Sequence, residues 1–67
     1  MTAAEFKFIR LALGLSQEQF GRALGNTGKN VRREVYLMEQ EQKSITARTA
    51  RLAEMFRRYG VPPAFLE

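Results

Sequence analysis

The chain contains no cysteine, no histidine and no aspartate. The first absence rules out a disulfide framework, and the first two together remove the ligand sets from which protein zinc sites are usually built. All three leave little from which to assemble a nucleophile, a base and a group that orients the base. Only Ser16 and Ser44 supply serine hydroxyls, and Ser16 stands where a helix N-cap is expected. There is no strand pattern and no glycine-rich phosphate loop following one. The sequence therefore reads as non-enzymatic, with no cofactor and no metal. No apolar run approaches the length needed to cross a bilayer, and the opening MTAAEFKFIR carries Glu5, Lys7 and Arg10 within its apolar pattern, unlike a signal peptide. These features predict a cytoplasmic protein without a membrane partner.

At 67 residues and 45% hydrophobic content, the chain reads as one domain, residues 1–67, with a single modest core. It is too short to enclose a deep cavity for a small-molecule substrate. Lacking covalent or metal staples, it must rely on well-patterned helices or on a second copy of itself. What is present in surplus is positive charge. Eleven Lys and Arg face seven acids, all of them Glu, for a net charge of +4 and a pI near 10.1. That balance favours a polyanionic partner, although a solvated face produces the same number.

Position along the chain sharpens this. Phe6, Ile9, Leu11 and Leu13 lie near helical spacing with Lys7 and Arg10 between them, predicting an amphipathic helix over 3–13 that stops at Gly14. Ser16 with Gln19 forms a capping box opening a short second helix that buries Phe20, Ala23 and Leu24 and ends at Gly25. A third helix is framed by Val31, Val35 and Met38, one apolar stripe. Steps of about 100° then place Arg33, Tyr36 and Gln40 opposite, flanked by Arg32 and Leu37. Thr46 can cap a fourth helix burying Ala50, Leu52, Ala53 and Phe56, with Tyr59 near its end and Gly60 closing it. Pro62 and Pro63 forbid its continuation, and Phe65 and Leu66 beyond them either fold back or meet another chain. The pattern is that of an all-α, compact bundle of four to five helices.

The stretch IRLALGLSQEQFGRALG, residues 9–25, resembles the opening of the phage-repressor-type (Xre, Cro/repressor class) helix-turn-helix family. There the pattern I-R-x-x-x-G-L-S-Q-x-x-(apolar)-A-x-x-L-G spans the first two helices. Residues 35–45, VYLMEQEQKSI, resemble the family's V-x-x-W-E-x-G-x-x-x-I, with Val35, Glu39 and Ile45 in place, Met38 for the usual aromatic and Glu41 for the usual Gly. Between Gly25 and Val35 the family commonly has about five residues, whereas this chain has the nine from Asn26 to Glu34. Because Asn26, Thr27, Gly28 and Asn30 are turn formers, the surplus predicts a lengthened turn before the third helix.

The resemblance implies a lambda-repressor-like DNA-binding domain. By family role, Gln17 at the start of the second helix would touch a phosphate, and Arg32, Arg33 and Leu37 would reach base edges. Arg suits guanine and an apolar side chain suits the thymine methyl. Lys29 and Lys43 fall where backbone contacts set affinity and register, Asn30 either caps the third helix or donates to a phosphate, and Tyr36 either donates its hydroxyl to a phosphate or packs half-buried. Glu39, an acid beside a presumed phosphate site, is expected to cap or pair within the fold. Arg48, Arg51, Arg57 and Arg58 are expected to be solvated. The function implied is that of a dimeric repressor or autoregulator reading an inverted-repeat operator in double-stranded DNA, similar to compact regulators of phage operons, including those that accompany anti-CRISPR genes. Phe65 and Leu66 are candidates for the contact between copies. Two other readings stay open: the DNA-binding antitoxin of a toxin–antitoxin pair, and a helix-turn-helix fold kept as a protein-interaction module without DNA affinity.

Overall fold

A computed structural model describes residues 1–66 of the chain. Among these residues are four α-helices and no strand: α1, Ala3–Ala12; α2, Gln17–Ala23; α3, Val31–Glu39; α4, Ala47–Tyr59; a 3₁₀ turn, Pro63–Leu66, follows. Each of three helix starts is fixed by a side-chain cap. Ser16 Oγ accepts the Gln19 amide at 3.1 Å while the Gln19 carboxamide oxygen accepts the Ser16 amide at 2.9 Å, and Thr46 Oγ1 accepts the Thr49 amide at 3.2 Å. Thr2 and Glu5 form a further capping box on α1, a signal the apolar pattern alone did not bring out. Gly14, with φ of 73°, and Gly25, with φ of 93°, end α1 and α2 in the left-handed region that other residues enter at a cost.

The core is made by Phe6 and Ile9 of α1, Phe20 and Ala23 of α2, Val35 and Met38 of α3, and Ala53 and Phe56 of α4. Phe6 and Phe20 meet as tilted rings 5.0 Å apart between centroids, a geometry that adds to their area burial. Two expectations for α1 need correction. Leu11 is 57% exposed, whereas Arg10, read as part of the polar face, is buried at 9%. The register explains both: Phe6, Ile9, Arg10 and Leu13 are the i, i+3, i+4 and i+7 positions of the inward face, and Leu11 lies a further 100° round from Arg10.

α2 and α3 pack most intimately, and Gly21 is the reason they can. A Cβ built on Gly21 would lie 2.5 Å from Val31 Cγ1, 3.1 Å from Val35 Cγ2 and 3.2 Å from the Val31 carbonyl oxygen. In an exposed helix Gly→Ala gains about 0.5–1 kcal/mol, but overpacking of this kind costs about 1–3 kcal/mol. Gly21→Ala is therefore expected to melt below the wild type. A variant that melts at or above the wild-type temperature would show that α3 can back away from α2 at no cost.

After Gly60 and the Pro62–Pro63 pair, the 3₁₀ turn folds back to pack against α2. Phe65 sets its ring edge-on to Phe56 at 6.0 Å and 78°, and half-buried Leu66 packs on the core. Of the two candidates for a contact between copies, Leu66 is spent largely on its own chain, whereas Phe65 keeps 45% of its surface exposed.

Acid stability follows from two exposed carboxylates. Hydrogen bonds from Arg57, and then Arg58, pull Glu54 down to about 2, and the backbone amide of Thr2, followed by its hydroxyl, lowers Glu5. A folded-state value below the unfolded one gives stability that is complete above the unfolded value, about 4.5 here, and lost as pH falls through the folded value. With no histidine in the chain, no such change is expected between about pH 5 and 8. The melting temperature should be level over that range and fall between about pH 4.5 and 2. A decline that begins near neutrality in a pH series of melts would contradict this assignment.

Candidate nucleic-acid interface

α3 is held by its apolar stripe, with Val31 at 2%, Val35 at 0% and Met38 at 5% exposure. That anchoring turns Arg32, Arg33 and Gln40 outward, exposes Tyr36, and leaves Leu37 half-buried at the flank. The helix begins at Val31, so residues 26–30 form a turn with Gly28 at φ of 97°, as their composition predicts. Lys29 and Asn30 are exposed in that turn. Asn30 occupies the N-cap position without a side-chain bond to the helix, so it caps α3 by position only.

The pairing of charges separates the cations. Arg10, Arg22, Lys43, Arg57 and Arg58 pair with glutamates. Lys29, Arg32 and Arg33 have no carboxylate within 4.0 Å among the described residues. The acid nearest them in sequence, Glu34, is bound instead to Lys43. Of the expected backbone contacts, Lys43 thus has its ammonium engaged at the foot of α3. Arg57 and Arg58 are exposed but not merely solvated, since both bind Glu54. Arg48 and Arg51 are exposed and unpaired among the described residues, on a different helix.

Behind this face lies the interaction that the sequence reading missed. Arg10 Nε donates to Glu39 Oε2 at 2.6 Å, Arg10 Nη2 donates to Glu39 Oε1 at 3.2 Å, and Arg10 Nη1 donates to the Leu15 carbonyl oxygen at 3.0 Å. The two side chains are 11% and 1% exposed. Glu39 therefore pairs structurally, as expected, and its partner is a buried arginine of α1. The signal was present: Arg10 shares a face with Phe6 and Ile9, and Glu39 shares one with Val35 and Met38, so opposite charges stand at core positions on two helices. Glu39 Oε1 also accepts from Gln17 Nε2 at 3.2 Å.

Gln17, Arg32, Arg33 and Tyr36 line one open cleft at the junction of α2 and α3. Four of the expected site residues are thus brought together. Lys43 lies apart, on a groove shared with Met1, Thr2 and Ala3, and neither Leu37 nor the 3₁₀ turn borders the cleft. Two guanidiniums, a carboxamide and a phenol make a wall rich in donors and free of acids. Such a wall matches an oxyanion or the acceptor edge of a base better than a cation or an apolar ligand. The described residues include no cluster of three or more His, Cys, Asp or Glu side chains placed to hold a metal ion, and no helix among them is long and apolar enough to cross a membrane. No family model, curated protein or solved structure matches the chain.

Proposed function

We propose that this protein is a sequence-specific binder of double-stranded DNA, built on a lambda-repressor-like helix-turn-helix and acting as a dimeric repressor of a phage or bacterial operon. The observation that carries the reading is the outer face of α3, where Arg32, Arg33 and Tyr36 stand exposed and Arg32 and Arg33 lack a carboxylate partner while the opposite stripe is locked in the core. An α-helix about 10–12 Å across fits a major groove about 12 Å wide. In that groove Arg32 and Arg33 read guanine, Leu37 meets a thymine methyl, and Gln17, Tyr36, Lys29 and Asn30 hold the phosphates. Lys43 joins them by exchanging Glu34 for a phosphate. One helix reads few base pairs, so two copies bind half-sites about 34 Å apart, with Phe65 the better placed of the two candidate contacts between copies.

The test is selection of duplexes from a random-sequence pool, followed by salt titration. Enrichment of an inverted repeat and a steep fall of affinity with salt are expected. Enrichment of nothing, or binding indifferent to salt, would refute the reading. A rival draws on the exposure of Phe8, 68%, and Leu11, 57%, on α1, which favours a protein partner such as a toxin. On that reading co-purification with a partner would occur without duplex enrichment.

The long turn supplies a further expectation. Deleting Thr27–Asn30 restores the spacing of the resembled family, and halving a loop changes its closure cost by only about 0.6 kcal/mol. Stability should barely move, while loss of the Lys29 phosphate contact lowers the salt slope by about one. A variant that melts far lower yet keeps its salt slope would place the insertion in the core's service.

A further inference from the structure

Glu39 faces two ways. Its carboxylate is almost wholly covered, yet it touches both the buried Arg10 and the Gln17 side chain that lines the cleft. A glutamine carboxamide has two N–H donors and one oxygen, and the 3.2 Å bond to Glu39 Oε1 uses a single N–H. Left free, this long side chain would lose rotamer freedom whenever it gripped a ligand. Tied to a charged acceptor that is itself fixed by two bonds from Arg10, it is ordered before anything binds.

We infer that Glu39 is a positioning residue for the interface: it holds the Gln17 carboxamide so that the remaining N–H meets a phosphate oxygen. The inference rests on the DNA-binding reading given above. Charge decides whether such an arrangement is tolerable. A bare carboxylate one side chain away from a phosphate would repel it, and the Arg10 guanidinium cancels that charge at 2.6 Å. The buried ion pair thus presents a neutral hydrogen-bond acceptor to Gln17 and a near-neutral background to the polyanion. It also ties α1 to the C-terminal end of α3, so the same pair sets the carboxamide relative to Arg32 and Arg33.

The experiment is a thermodynamic cycle on a duplex enriched by the wild-type protein from a random-sequence pool, with a scrambled duplex beside it. Gln17→Met, Glu39→Gln and the double variant are compared at a temperature where circular dichroism shows each to be folded. Gln17→Met should weaken binding to both duplexes by roughly fivefold to tenfold. Glu39→Gln should cost as much in the wild-type background, where the amide oxygen at position 39 is claimed by Arg10, and nothing more beside Gln17→Met. Additive losses would overturn the inference, because Glu39 would then act through the fold and not through Gln17. If Glu39→Gln does not fold, Gln17→Asn decides: one methylene too short to span both partners, it should lose as much as Gln17→Met, and full affinity would overturn the inference. Nitrogen relaxation of the free wild-type protein gives an independent readout, with the Gln17 side-chain amide expected to be rigid. An amide as mobile as those of Gln40 and Gln42 would overturn the positioning role without reference to DNA. A pool in which the wild type enriches nothing takes down the DNA-binding reading and this inference together, whereas additivity with enrichment intact takes down the inference alone.

Discussion

Arg10→Met is expected to destabilise the protein by about 3–5 kcal/mol, the cost of leaving one member of a buried ion pair without its partner. For a domain of this size each kcal/mol lowers the melting temperature by about 4–8 °C, so a fall on the order of 20 °C should be seen. The cause is Glu39, whose side chain is 1% exposed and which would keep only the Gln17 donor at 3.2 Å. The Leu15 carbonyl oxygen would also lose its guanidinium at 3.0 Å. The effect is specific to the mismatch and not to the loss of charge. Two apolar side chains of similar volume commonly equal or exceed a buried ion pair in stability, so Arg10→Met combined with Glu39→Met should recover most of the loss. Thermal melts of the wild type, the single variant and the double variant make the comparison. A single variant melting within a few degrees of the wild type would mean that water reaches Glu39 and that the pair contributes little.

That pair also marks where the sequence stops being readable. The helix starts at Ser16 and Thr46, the stops at Gly14, Gly25 and Gly60, and the α3 stripe of Val31, Val35 and Met38 are local signals, decided within one turn of chain, and all were legible. Arg10 and Glu39 are 29 residues apart. Each alone looks like a surface charge at the margin of an apolar stripe, and only the crossing of α1 on α3 makes the two a buried pair. The same limit applies to the site. The outward placement of Arg32, Arg33 and Tyr36 follows from the α3 register, but their meeting with Gln17 depends on how closely α2 approaches α3, and that is set by Gly21. Lys43 is the clearest loss, because its pairing with Glu34 spans the bend after α3 and leaves no trace in either residue's local pattern. Phe65 and Leu66 were ambiguous for a related reason: a proline pair sets the chain's direction only to within a hinge, and packing against Phe56 settles it.

If α3 reads DNA, Arg32→Ala combined with Arg33→Ala should abolish sequence preference while leaving the fold intact. Both side chains are exposed and unpaired among the described residues, so their removal opens no cavity and strands no acid. The unfolding free energy should stay within about 0.5 kcal/mol of the wild type, as for surface substitutions generally. Each arginine placed against guanine is worth about 1–3 kcal/mol of discrimination, so the double variant should bind an enriched duplex about a hundredfold or more weakly and hardly distinguish it from a scrambled one. Adjacent residues on one face share partners, so the two losses need not add. A residue that only neutralises phosphate behaves differently: its loss lowers affinity for both duplexes alike and reduces the salt slope by about one. Titrations of both duplexes at several salt concentrations separate these cases. An intact preference for the enriched duplex would remove Arg32 and Arg33 from the reading surface. A uniform loss with a slope shallower by about two would assign both to the phosphate backbone, and base reading would then fall to other side chains of the outer and flanking α3 surface, Leu37, Tyr36 and Gln40 among them.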